Sequence, residues 1–133
     1  MKSKLLLVAA LVCACTPAIA GDSKFTKQFT ICMNDSSGVM PDMIACVEEE
    51  TKIHDARLNG AYKTLGEQLT RERKKALLAA QRLWIQYRDA NCAFYADPDG
   101  GQMATFRSAE CVLDATAIRA MELEDIIEYE AVD

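Results

Sequence analysis

The chain has 133 residues, with 15 Lys plus Arg, 20 Asp plus Glu, one His and six Cys, and 50% of it is hydrophobic. That length suits one domain, and that apolar fraction excludes a disordered chain. A net charge of −5 argues against general binding to nucleic acid or anionic membranes, and a lone histidine leaves little room for a familiar catalytic apparatus.

The chain starts with Met1-Lys2-Ser3-Lys4, runs apolar from Leu5 to Cys15, and reaches Ala18-Ile19-Ala20 before Gly21. Basic, apolar and small-residue regions in that order read as a secretory signal peptide over 1–20. The apolar run is too short to span a bilayer, which takes about 20 residues. A competing route is lipidation at Cys15 in Val12-Cys13-Ala14-Cys15, but the central Cys is atypical and the Ala-x-Ala ending fits ordinary cleavage better. Cleavage after Ala20 leaves 113 residues, with 13 bases against 20 acids and a net charge of −7, for the periplasm or the exterior.

Four cysteines then remain, Cys32, Cys46, Cys92 and Cys111, an even number that implies disulfides in an exported chain. Three connectivities are open. The local pairing, Cys32–Cys46 with Cys92–Cys111, closes two short loops, each stabilising by about 3 kcal/mol in the chain-entropy model. A helical hairpin turning near Thr70 would instead carry Cys46 and Cys92 to one end. No pair has the tight spacing of a zinc site, and no metal or cofactor is expected.

Residues 21–39 show little periodicity and read as an irregular arm tethered through Cys32. Pro41 suits the first turn of a helix. From there Val47, His54, Leu58, Ala61, Tyr62, Leu65 and Leu69 recur on one side at helical spacing, with Gly66 a candidate end. Thr70 can cap a second helix whose inner stripe is expected to be Leu77, Ala80, Trp84, Tyr87 and Asn91, widened by Ala76 and Leu83. The basic run Arg71-Glu72-Arg73-Lys74-Lys75 opposes the helix dipole and reads as a solvated face with Glu67 and Glu72 as partners.

Asp97-Pro98-Asp99-Gly100-Gly101 breaks the pattern by turn chemistry. It does not complete a calcium loop, because Phe106, Arg107 and Ser108 stand where the late glutamate is required. Thr105 or Ser108 can cap a third helix with Leu113, Thr116, Ala117, Ala120, Leu123 and Ile127 inward and a solvated acidic end from Glu122 to Asp133. The expectation is all-α: about three helices, a hairpin plus a C-terminal helix, stapled by two disulfides.

Two strings stand out: Asp55-x-x-Leu58-Asn59-x-x-Tyr62-x-x-Leu65, and Ala80-Gln81-Arg82-x-Trp84-Ile85-x-Tyr87-Arg88-Asp89-x-x-Cys92. With Cys46, Gly100-Gly101, Cys111 and the stretch from Thr116 to Leu123, the chain resembles the lysozyme-inhibitor LprI-type family of small exported bacterial proteins, over Cys32 to Leu123. His54 departs from the pattern, standing where a small residue is expected. The resemblance implies an α-helical, disulfide-bonded fold and binding and inhibition of lysozyme.

Asp55 and Asn59 share a helix face, and an antiparallel partner helix would bring Arg88 or Arg82 to Asp55, with Asp89 beside them. These five residues are expected to form a clasp fixing helix register, and Trp84 to be core. His54 reads as a hydrogen-bonded core residue, because adjacent Asp55 points about 100° away and cannot orient it as a base. The function expected is therefore non-enzymatic: an exported envelope protein that inhibits lysozyme, or alternatively a helical adaptor in the envelope without that activity. Candidate partner contacts are Glu48, Glu49 and Glu50 and the loop Asp97, Asp99, Gly100 and Gly101, which would extend to Met103 and enter the lysozyme cleft.

Overall fold

A computed structural model describes residues 24–131, and the expected signal peptide, Cys15 and Asp133 fall outside that range. Within it the chain forms α1 (Lys27–Asp35), α2 (Met40–Gln68), α3 (Arg71–Phe94) and α4 (Gly101–Glu130). The all-α expectation holds, with four helices rather than three.

The additional helix is α1, in the stretch expected to be irregular. Thr26 caps it, its hydroxyl accepting from the Phe29 N–H at 3.1 Å. Phe25, Phe29 and Met33, each one helical turn from the next, pack against Val47, Phe106 and Leu113. Polar flanks hid this short apolar stripe.

Pro41 sits in the first turn of α2, as expected. Gly66 does not end that helix, which continues to Gln68 because Ala61, Leu65 and Leu69 are buried against α4. Thr70 caps α3, its hydroxyl accepting from the Arg73 N–H at 3.4 Å. Neither Thr105 nor Ser108 caps α4. The Ser108 hydroxyl donates to the Cys92 carbonyl at 3.0 Å, and the helix starts earlier, at Gly101. The chain before it is a tight turn: Asp97 Oδ1 accepts from the Asp99 N–H at 3.0 Å, and the Gly100 N–H bonds to the Asp97 carbonyl at 3.0 Å. A Cβ on Gly100 would lie 2.6 Å from the Ala104 Cβ, and Gly101 has φ +60°, so both positions require glycine. Met103 therefore belongs to α4, and the loop expected to enter a cleft is a blunt turn.

Cross-links define the topology. Arg73 meets Glu130 at one end of α3, Gln81 meets Arg119 midway and Cys92 meets Cys111 at the other, so α3 runs antiparallel to α4. Val47 packs with Leu113, and Arg57 pairs with Glu124 farther along, so α2 and α4 run parallel. The disulfides take the local connectivity, with Cα–Cα distances of 5.8 Å for Cys32–Cys46 and 5.4 Å for Cys92–Cys111. Both lie at the end where α2 and α4 begin.

The core has two parts. Near the staples, Val47, Phe106 and Leu113 form one cluster. Toward the other end, Leu58, Ala61 and Leu65 of α2 and Leu69 just past its end meet Ala120 and Leu123 of α4, with Leu77 and Trp84 of α3 half-buried against them. Thus the inner stripe expected on α4 is inside. The acidic end of α4 is not simply solvated, since Glu124 and Glu130 pair with Arg57 and Arg73. Leu123 is fully buried in the second cluster. Leu123→Ala is expected to cost about 2–5 kcal/mol of stability, read as a lowered midpoint in urea unfolding with the disulfides intact.

Candidate functional site

The expected clasp does not form as drawn. Asp55 accepts from Asn59 at 3.0 Å on its own helix, and Arg88 pairs with its neighbour Asp89 at 2.8 Å. Among the described residues neither Arg82 nor Arg88 pairs with Asp55. The cause is packing: α2 lies along α4, leaving Asp55 and Asn59 on an exposed flank. A buried polar link between α3 and α4 is instead Gln81 to Arg119, whose Nε donates to the Gln81 side-chain oxygen at 3.0 Å, both residues being 8% exposed. Arg119 also donates to Glu122 at 2.8 Å. Both Gln81 and Arg119 lie within the stretches that carried the family resemblance, but an arginine on an apolar helix face gave no sign of its partner.

Glu50 is also reassigned. Expected as an exposed partner contact, it is 2% exposed and holds down the N-terminal segment. Its Oε1 accepts from the Thr26 N–H at 2.7 Å and from His54 Nε2 at 3.1 Å, and its Oε2 accepts from the Thr26 hydroxyl at 2.6 Å. A buried carboxylate needs such donors, and helical i,i+4 spacing supplies one of them. His54 is thus a buried residue, as expected, but it does have an acid beside it. That acid is spent on Thr26, and Phe25 stacks edge-on to the imidazole with centroids 5.9 Å apart. Lys24 adds a bond to Asp114 of α4 at 2.8 Å.

The other expected contacts are exposed. Glu48 and Glu49 near the start of α2, and Asp97, Asp99, Gly100 and Gly101 in the turn before α4, face solvent toward the stapled end. Glu49 bonds Lys52 at 2.6 Å, and this hydrogen bond, followed by its charge, raises the pKa of that lysine above its ordinary value. Asp97 has already committed one oxygen to its own turn.

Between α3 and α4 lies an open groove of about 530 Å³, within the usual range for ligand clefts of about 300–1,000 Å³. Trp84, Tyr87, Asn91 and Tyr95 form one wall, and Arg107, Glu110, Asp114 and Ile118 the other. Trp84 is half-buried rather than core, with the guanidinium of Arg88 5.0 Å and that of Arg119 5.9 Å from its ring centre. Flat rings facing amide, carboxylate and guanidinium groups suit recognition. The lining cysteine, Cys111, is held in a disulfide.

The stripe expected inside α3 is split: Leu77, Trp84 and Asn91 are half-buried, and the rest of it is exposed. The helix buries Gln81 and Cys92, whereas Ala76, Ala80, Leu83 and Tyr87 are exposed. The Gln81–Arg119 bond and the Cys92–Cys111 staple set its rotation, and helical periodicity carries no information about which face those anchors choose. Gln81→Ala, which strips a partner from buried Arg119, is expected to cost about 1–3 kcal/mol. Asp55→Ala, on an exposed flank, should stay within about 0.5 kcal/mol. Thermal melts of the two variants compare the two clasps directly.

Comparison with known proteins follows the same span. An uncharacterised protein of Rhizobium meliloti is 28% identical, over 65% of this chain and 73% of its own length. No solved structure matches the chain. The family model for the lysozyme inhibitor LprI matches residues 32–123, a stretch that begins at the first staple cysteine and takes in both strings, the Gly100-Gly101 turn and Arg119. The chain belongs to the lysozyme inhibitor LprI family.

Proposed function

We propose that the protein is an exported, non-enzymatic envelope protein that binds and inhibits lysozyme through the acidic surface at its stapled end. Family membership supports the activity, and two disulfides fit folding in an oxidising compartment outside the cytoplasm. The observation that carries the location is the exposure of Glu48, Asp97 and Asp99 around the end held by both staples. Common lysozymes are basic, so a protein with net charge −7 after leader removal is drawn toward them, and rigid carboxylates meet the partner with little ordering cost. The turn at Asp97–Gly100 is too tight to thread deeply into a cleft, so it acts as a blunt cap.

A second reading, an envelope adaptor without effect on lysozyme, is favoured by a different observation: Leu83, Tyr87 and Phe94 of α3 are 66%, 66% and 82% exposed. An apolar surface of this kind marks an interaction site.

A lysis assay separates the two. Purified protein is expected to suppress lysis by a basic lysozyme at micromolar excess in low salt and to lose potency as salt rises. Glu48→Lys with Asp99→Lys should weaken inhibition by at least about tenfold while the melting temperature holds. An unimpaired lysozyme at low salt removes the inhibitor reading and leaves the adaptor.

A further inference from the structure

The outer face of α3 follows a rule that its inner face does not. Ala76, Ala80, Leu83, Tyr87, Ala90 and Phe94 are spaced four, three, four, three and four apart, and all six are exposed. That alternation is the 3.5-residue repeat of a helix–helix seam, which keeps one apolar line facing a partner helix. The positions flanking the seam are Leu77, Ala79, Trp84, Gln86, Asn91 and Ala93, and none of them is charged. The charged residues of the same stretch, Arg82, Arg88 and Asp89, fall off this face. A solvated helix spreads its charges over its exposed side; here one exposed face carries none, while Arg82 and Asp89 sit on another.

We propose that this face pairs with the same face of a second copy of the chain, α3 against α3 in antiparallel orientation across a twofold axis. This goes beyond lysozyme inhibition and stands whether or not that reading holds. The seam is self-complementary about Ile85. Ala76 meets the second copy's Phe94, Ala80 meets Ala90, and Leu83 meets Tyr87, so small residues face large or small ones and the helices approach closely. Phe94 and Tyr87, with Leu83, are the anchors. Aromatic side chains bury about 150–250 Å² each, so the four rings of two copies supply a large share of the roughly 1,000 Å² that a specific interface requires.

Charge selects a second copy in this orientation. Two acidic chains, net −5 with the leader and −7 without it, repel wherever their acids meet, and the α3 seam carries no acid. Antiparallel pairing also sends the two Asp97–Gly100 turns to opposite ends. The 24 residues of α3 extend about 36 Å, several times the screening length of about 8 Å at physiological salt. The pair therefore presents two acidic ends, pointing apart.

Sedimentation of the purified, disulfide-bonded protein from low to high micromolar concentration tests this. The weight-average mass is expected to climb from one chain toward two with concentration. Leu83→Glu, placed twice at the centre of the pair, should raise the dimer dissociation constant by about a hundredfold or more with an unchanged circular dichroism melt, because Leu83 is 66% exposed in the single chain. Gln86→Cys, beside the axis, should join to its own copy through a short bifunctional thiol reagent, and Arg82→Cys should not. A single-chain mass throughout the range overturns the proposal and leaves the face to a different protein. A dimer that survives Leu83→Glu overturns it as well, since another surface then holds the copies together.

Discussion

The packing of α4 governs the rest of the molecule. Leu113, Thr116, Ala117, Ala120 and Leu123 have no exposed surface, and they place a smooth, small-residued line against α2. Small side chains at such a crossing let two helices close to within about 8–10 Å over many turns. Because α2 and α4 are joined lengthwise, α3 is left with the remaining edge of α4. It is anchored there at three points, by Arg73–Glu130, Gln81–Arg119 and Cys92–Cys111. An edge helix held by anchors rather than by a continuous apolar face has a rotation that the anchors choose. The outward turn of Leu83, Tyr87 and Phe94 follows from that.

Polar and ionic groups in this acidic protein do two different jobs. Exposed pairs such as Lys52–Glu49 are screened by water and salt and hold little of the fold together. Buried groups such as Glu50 and Arg119 are different, because removing their partners strands a charge in the interior. Glu50 joins the N-terminal segment to α2, and Arg119 joins α4 to α3. The staples reinforce the same joints, Cys32–Cys46 tying α1 to α2 and Cys92–Cys111 tying α3 to α4. The end carrying Glu48, Asp97 and Asp99 is consequently held by both staples.

Function and architecture meet on α3 and α4. Their stapled ends lead into the acidic turn, their facing sides form the groove lined by Trp84 and Tyr95, and the outer side of α3 carries the uncharged seam. Tyr87 belongs to both the groove wall and the seam, so these two surfaces adjoin along α3. The proposed steering of a basic partner belongs to the acidic turn, and the proposed self-pairing to the seam.

The family, the all-α class, the presence of two disulfides and the inner stripes of α2 and α4 were legible in the chain itself, whereas the tertiary structure chose the local pairing among three. Each legible feature depends on local spacing or count: motif strings, even cysteines, apolar residues at helical period. Thr70 as a cap was legible for the same reason. Whether Glu50 was a surface acid or a buried one was not, because that depended on Thr26 reaching it from 24 residues away. Nor could the chain say that Arg119, rather than Arg82 or Arg88, would link the helices, or that Asp55 would be left on the outside. Two helices with similar apolar stripes can each claim the same neighbour, and periodicity does not rank them. Only the assembled core decided that α2 took the length of α4. That choice left α3 only an edge of α4, which covers Leu77 and Trp84 and leaves Ala80, Leu83 and Tyr87 exposed, since α2 already occupied the rest.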